Sequence, residues 1–148
     1  MSPSTRLLTP RELAAWRGML RVHAEVTRQL DSELVAGHDI SLSGYEVLLF
    51  LADAPGGRLR MSELAEGVLL SRSGLTRLVD RLARDGFVER ERCEDDARGL
   101  NAVITPAGGK LFAAARRTHL AGVRRLYLSR FEDRELDQLG ELMARPLS

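Results

Sequence analysis

Apolar positions early in the chain fall at Leu13, Trp16, Leu20, Leu30 and Leu34, and Met19, Val22 and Val26 widen the stripe. That spacing predicts one long helix over residues 10–36. Its start is marked by Thr9-Pro10-Arg11-Glu12: Thr9 caps, Pro10 suits the first helical position, and Glu12 closes a capping box. Gly37 is the expected stop. Such a helix would span about 40 Å, longer than a small domain is wide, so part of it is expected to lie on a partner chain. Leu42-Ser43-Gly44-Tyr45-Glu46-Val47 reads as a second start, with Ser43 capping, Glu46 reciprocating and Leu42 stapled onto Val47. This helix carries Val47, Leu48 and Leu51 and stops at the turn Ala54-Pro55-Gly56-Gly57. Leu59-Arg60-Met61 suits a sheet edge, and residues 62–67 form a short helix. Val68-Leu69-Leu70 turns, Ser71 caps a helix running to Arg84, and Gly86 stands where a C-terminal glycine belongs. The one strand-like region follows: Phe87-Val88-Glu89-Arg90-Glu91-Arg92, a polar tip Glu94-Asp95-Asp96-Ala97-Arg98-Gly99, and a return strand in which Leu100, Ala102 and Ile104 alternate with Asn101 and Val103. Thr105-Pro106 opens a long helix to about Leu128. A last helix from Glu132-Asp133 carries Leu136, Leu139, Leu142 and Met143, and ends at Arg145-Pro146.

The fold class is therefore mainly α with a small β hairpin. A helix-turn-helix followed by a two-stranded hairpin is a winged helix, here over about residues 42–104, with long helices on either side. Length allows one domain over 1–148. With 44% hydrophobic and 29% charged residues the chain can bury a core, but aromatics are only 5%, so that core must be mostly Leu, Val and Ala. No apolar run is long enough for a membrane span, and the N-terminus lacks the apolar region of a secretory signal. One cysteine, Cys93, excludes an internal disulfide and fits a reducing, cytoplasmic setting. Three scattered histidines argue against a zinc site, and no cofactor is expected. There is no G-x-S-x-G, Walker loop or H-E-x-x-H, and the adjacent Asp95 and Asp96 have no reason to converge as an acid–base pair, so an enzyme is not expected.

Net charge is only +1, but its distribution is uneven. From Ser71 to Arg84 there are four arginines (Arg72, Arg77, Arg81, Arg84) against one acid, Asp80. Leu75, Leu78, Val79 and Leu82 form an inward stripe, leaving Ser73, Thr76, Arg77 and Arg81 facing out. Arginines on an exposed helix often serve only solubility. On the second helix of a helix-turn-helix, the one that enters the DNA major groove, they point to double-stranded DNA. The first turn of that helix adds free backbone N–H groups and the Ser71 and Ser73 hydroxyls, which suit phosphates. On the residues alone the hairpin tip is expected to be a plain solvated turn. The alternative is that Asp96 pairs with Arg98 or with an arginine of the recognition helix and fixes the tip's shape, so that Arg98 projects into a narrow minor groove. Residues 105–130 hold six basic residues and no acid, and 132–141 hold five acids, so mutual neutralisation is expected. Trp16 and His23, seven apart on one helix, together with Tyr45 are the candidates for an aromatic-lined ligand site, although core packing is the role expected first for such residues. His119 is expected at an interface or the surface. Cys93 has Arg92 beside it, but Glu91, Glu94 and Asp95 oppose thiolate formation, so an inert thiol is expected over a redox switch.

The chain resembles the MarR family of bacterial transcriptional regulators. The matching stretches are Ser71-Arg72-Ser73-Gly74-Leu75-Thr76-Arg77-Leu78-Val79-Asp80-Arg81-Leu82, Gly86-Phe87-Val88-Glu89-Arg90, the D-x-R wing signature Asp96-Ala97-Arg98, and Val103-Ile104-Thr105-Pro106-Ala107-Gly108. The resemblance runs from Leu13 to Leu142. It implies a homodimer held by the helices at 10–36 and 106–144, each winged helix reading half of a palindromic operator. It also implies a repressor that releases DNA on binding a small phenolic or lipophilic anion. By the same resemblance, Thr76, Arg77 and Arg81 are recognition-helix contacts, Arg98 is the wing arginine and Asp96 orients it; Ser71, Arg72, Ser73 and Arg90 complete the expected DNA contacts. The chain departs from the family at Ala97, where arginine is common, and in the added acids Glu94 and Asp95, which implies weaker wing contacts. The alternative from another class is a winged-helix protein-interaction module whose basic helix docks on an acidic protein surface.

Overall fold

The computed structural model describes residues 6–68, 70–94 and 99–148. Leu69 of the predicted turn and Asp95, Asp96, Ala97 and Arg98 of the predicted wing tip lie outside the described residues.

Helix α1 (Pro10–His38) starts as predicted. Thr9 Oγ1 accepts from the Glu12 N–H at 3.2 Å, and a Glu12 carboxylate oxygen accepts from the Thr9 N–H at 2.7 Å. Its end differs. The helix runs through Gly37, and Asp39 takes the left-handed turn at φ 53° and ψ 37°, its N–H donating to Val35 O. Aspartate tolerates that conformation, and Gly37 has open space where a side chain would stand, so nothing local forces the helix to stop there.

Helix α2 (Leu42–Asp53) is capped by Ser41, not Ser43, and the predicted Ser43–Glu46 box does not form. Ser41 Oγ accepts from the Gly44 N–H at 3.0 Å. Starting at Ser41 puts Ile40 and Tyr45 in the two staple positions, and both join the buried core; the predicted start would have used Leu42, which is only partly buried. The corner between α1 and α2 is pinned by Asp31, whose Oδ1 accepts from the Leu42 N–H at 2.8 Å.

A turn at Pro55–Gly57 leads into strand β1 (Arg58–Arg60) and helix α3 (Met61–Val68). Helix α4 (Arg72–Arg84) follows, then strands β2 (Val88–Arg92) and β3 (Leu100–Ile104), helix α5 (Pro106–Leu126) and helix α6 (Asp133–Ala144). The hairpin gains a third strand. The sheet is antiparallel in the order β1-β3-β2, with Leu59 opposite Ala102 and Arg90 opposite Ala102 on the other side. Leu59 and Arg60 thus fill the predicted edge, while Met61 begins α3 instead.

The core is aliphatic: Leu34, Val47, Leu48, Leu51, Leu64, Val79 and Ala102 are wholly inaccessible, and Tyr45 and Phe112 are the aromatic members. It seats the sheet on the helices at two glycines. Gly86 turns the chain from α4 to β2 at φ 84°, a value that a side chain opposes. Gly108, in the first turn of α5, sits so close to the hairpin base that a Cβ there would lie 2.1 Å from Phe87 O. Two hydrogen bonds fix the same junction: Thr105 N–H to Phe87 O at 3.1 Å and Thr105 Oγ1 to Gly86 O at 2.7 Å.

The outer helices are different. Over its 29 residues α1 buries only Leu30 and Leu34, and α6 buries nothing. Trp16, Met19, Leu20, Val22, Leu142 and Met143 stand exposed. Among the described residues no single helix is long and apolar enough to cross a membrane.

Candidate nucleic-acid interface

The basic helix α4 is built to show one face. Leu75, Val79 and Leu82 are buried and Leu78 is partly so, which turns Ser73, Thr76, Arg77 and Arg81 outward as the spacing predicts. Arg72 and Arg84 are exposed as well. Ser71 caps the helix, its Oγ accepting from the Gly74 N–H at 3.1 Å, and Ser71 and Ser73 share a hydroxyl hydrogen bond of 3.3 Å. The exposed first turn thus presents two hydroxyls beside the positive end of the helix dipole, a setting that favours an anion. Thr76 donates its hydroxyl proton to Arg72 O at 2.8 Å, so toward a ligand it can only accept.

The acid on this helix is answered from the sheet. Arg90, on β2, makes an ion pair with Asp80 and also reaches Thr76 O at 3.5 Å. Sequence grouped Arg90 with the DNA contacts; the structure turns it toward the recognition helix. Neutralising Asp80 leaves four exposed arginines on α4, for which no described residue supplies an ion-pair partner. Sequence reasoning overlooked Arg60. It is exposed on β1 and, with Arg72, lines a cleft of about 270 Å³ closed by Met61, Leu75 and Leu100. Its alternation with Leu59 on an edge strand was the available signal. Arg58 and Glu91 pair at 2.8 Å across the outer strands of the sheet.

The predicted aromatic site does not assemble. Tyr45 is a core residue, its ring 5.6 Å from Phe112 and 4.5 Å from His119. Trp16 is half exposed on α1, away from the core. His23 lines an apolar groove of about 410 Å³ between α1 and the C-terminal segment, walled by Met19, Val22, Tyr127, Phe131 and Met143. His119 is partly buried against Tyr45 instead of standing at the surface, and burial holds its pKa below the ordinary histidine value. Cys93 is buried, and its Sγ donates to Asn101 Oδ1 at 3.1 Å. The basic block of α5 is not neutralised by the acids of α6 among the described residues. Arg125 pairs with Glu33 of α1, and the Arg116 guanidinium lies over the Phe112 ring at 5.9 Å. No group of three or more metal-ligating side chains converges among the described residues.

A winged helix with an arginine-rich second helix is a DNA-binding geometry, and comparison with known proteins agrees. The model of the MarR family matches residues 38–99. The transcriptional repressor YetL of Bacillus subtilis (strain 168) is 31% identical over 113 residues, covering 74% of this chain and 68% of YetL. The chain belongs to the MarR family. Two solved MarR-family structures from Streptomyces coelicolor overlay it closely. AbsC is 35% identical with a TM-score of 0.88, covering 97% of this chain and 95% of AbsC. Sco3205, solved in complex with DNA, is 32% identical with a TM-score of 0.90, covering 96% and 89%. As a MarR-family protein the chain is a DNA-binding transcriptional regulator and not an enzyme.

Proposed function

We propose that this regulator is a homodimeric repressor whose two α4 helices enter successive major grooves of a palindromic operator. The carrying observation is the outward face of α4, where four arginines stand exposed over a buried leucine and valine stripe. Ser71, Arg72, Ser73, Thr76, Arg77 and Arg81 are the contacts assigned to that helix. Arg98, oriented by Asp96, is assigned to the adjacent minor groove. Repression is supported by YetL, itself named a repressor.

The dimer is supported by the apolar surface of α1 and α6, which a lone chain would leave in water. The DNA-binding lobe is assigned to residues 42–104 and dimerisation to 10–36 and 106–144. The apolar groove walled by His23, Tyr127 and Phe131 suits the aromatic or lipophilic body of a small anionic ligand, which would release DNA by favouring a different spacing of the two α4 helices. Trp16 and Tyr45 have no part in that site. The cytoplasm is the compartment where such a regulator meets DNA.

The test is titration of the protein against random duplex DNA at two salt concentrations. DNA binding through these arginines must weaken steeply as salt rises, because each phosphate contact releases counterions. Binding that is absent at low salt overturns the proposal and makes the basic helix a protein-docking face. A thermal-shift screen with small aromatic acids tests the ligand, since a molecule selective for the native state raises its stability.

A further inference from the structure

We propose that Arg90 and Asp80 act as a positioning pair that sets the wing against the recognition helix, and that Arg90 is not a DNA contact. The inference rests on the DNA-binding role of α4 and goes beyond it. Asp80 runs against the charge of the helix face that carries it. It is the one acid on a helix that faces phosphates, and it lies nearer the C-terminal end of α4, where the helix dipole gives a carboxylate no support. Something local must compensate. That partner is Arg90 of β2, which holds Asp80 by an ion pair and reaches the Thr76 carbonyl, one turn earlier on α4.

The hairpin is thereby tied to α4 at two heights. At its base the Phe87 N–H donates to Leu82 O at 2.9 Å beneath the Gly86 turn. At mid-strand Arg90 bridges to Asp80 and Thr76. One attachment leaves β2 free to swing about its base, whereas two fix the angle between the strand and the helix. That angle decides whether the wing reaches the minor groove while Arg77 and Arg81 lie in the major groove. The Arg90 side chain keeps about 33% of its surface exposed, but its guanidinium is engaged on the helix by Asp80 and the Thr76 carbonyl, which takes its charge to Asp80 and not to phosphate.

Two accounts of Arg90 give opposite signs for one substitution. If Arg90 were a phosphate contact held back by Asp80, Asp80→Ala would free it. Removing an acid from the DNA-facing helix would also tighten binding, and the salt dependence would steepen. If the pair sets the wing, Asp80→Ala weakens specific binding even though it adds net positive charge. The probe is a duplex that the wild-type protein itself selects from a randomised pool, followed by fluorescence anisotropy over a salt series for wild type, Asp80→Ala and Arg90→Gln. Both variants are expected to lose roughly tenfold in affinity for the selected duplex, a size usual for contacting pairs. Arg90→Gln is expected to leave the slope of log affinity against log salt at its wild-type value, and both variants should hold random duplex nearly as well as wild type. Circular dichroism and thermal melting control for folding. Ala favours the helix, so a weakened Asp80→Ala protein cannot be explained by a damaged α4. Tighter or unchanged binding by Asp80→Ala, or a slope reduced by about one unit in Arg90→Gln, overturns the pair's role. A wild-type protein that selects no duplex sinks the DNA-binding reading instead.

Discussion

Gly108→Ala sets two known effects against each other at the seat of the wing. In a helix, alanine is favoured over glycine by about 1 kcal/mol, so propensity alone predicts a more stable protein. The structure predicts the reverse. A Cβ at Gly108 would meet Phe87 O at 2.1 Å, and Phe87 C and Ile104 Cγ1 at 3.0 Å. Two of these neighbours are backbone and cannot rotate away, so the first turn of α5 and the hairpin base must separate by about an ångström to restore ordinary contact. Overpacking of this kind costs about 1–3 kcal/mol. Separation also strains the hydrogen bond from the Thr105 N–H to Phe87 O, worth about 1 kcal/mol more. Set against the propensity gain, the net loss is about 2 kcal/mol. Gly109→Ala is the internal control, because a Cβ there meets nothing within 4 Å and only the propensity gain remains. Urea denaturation followed by circular dichroism should show the two neighbouring substitutions moving the midpoint in opposite directions. Gly108→Ala as stable as Gly109→Ala would refute the close seating of the wing on α5.

Leu20 is exposed on α1 in the single chain and does not line the groove, so Leu20→Asp should cost the monomer little. In a dimer that covers this face of α1 it would bury a carboxylate at a cost of several kcal/mol. Sedimentation at sub-micromolar concentration should give a dimer for wild type and a monomer for the variant; a folded wild-type monomer there would contradict the dimer. On a selected duplex, Arg77→Ala should cost about 1–3 kcal/mol and relax sequence preference if it reads a base, whereas Arg98→Ala should lower the salt slope by about one and leave that preference intact. Equal changes in sequence preference for the two would remove the division of labour. Burial holds the His119 pKa below its ordinary value near 6.5, so the unfolded chain takes up the proton first. Its contribution to stability is therefore complete above about pH 6.5 and lost as pH falls below that value. Its Nδ1 is buried without a hydrogen-bond partner among the described residues, so His119→Leu should be nearly neutral at pH 8 and should flatten the loss of stability below about pH 6.5 in denaturation curves. An unchanged pH profile would remove His119 as its source.

Local rules carried the reading where the decision was local. The Thr9, Ser71 and Thr105 caps, the leucine and valine stripe of α4 and the Gly86 turn are each set by neighbours a few residues away, and each stands where the pattern put it. The reading slipped where tertiary burial chose between local options. Both Ser41 and Ser43 can cap α2, and what selects Ser41 is that Ile40 and Tyr45 then reach the core. Gly37 yielded to Asp39 for a similar reason: the helix continues while His38 reaches Thr118 of α5, with 2.7 Å between Nε2 and Oγ1. For Tyr45 the core reading holds, as Val47, Leu48 and Leu51 on the same helix already marked that region as core. The Asp80–Arg90 and Glu33–Arg125 pairs were out of reach, since spacing alone does not say which of many arginines meets which acid across elements.

The central claim is that the exposed arginines of α4 bind DNA. Its most direct measurement is duplex affinity over a salt series for wild type and for a variant carrying Arg72→Ala, Arg77→Ala and Arg81→Ala. All three side chains are exposed, so circular dichroism should show the variant folded. The account predicts that the variant loses most of its affinity. It also predicts that the slope of log affinity against log salt shrinks by about 0.9 for each lost phosphate contact. A folded variant that binds duplex DNA with wild-type affinity and wild-type slope would contradict it.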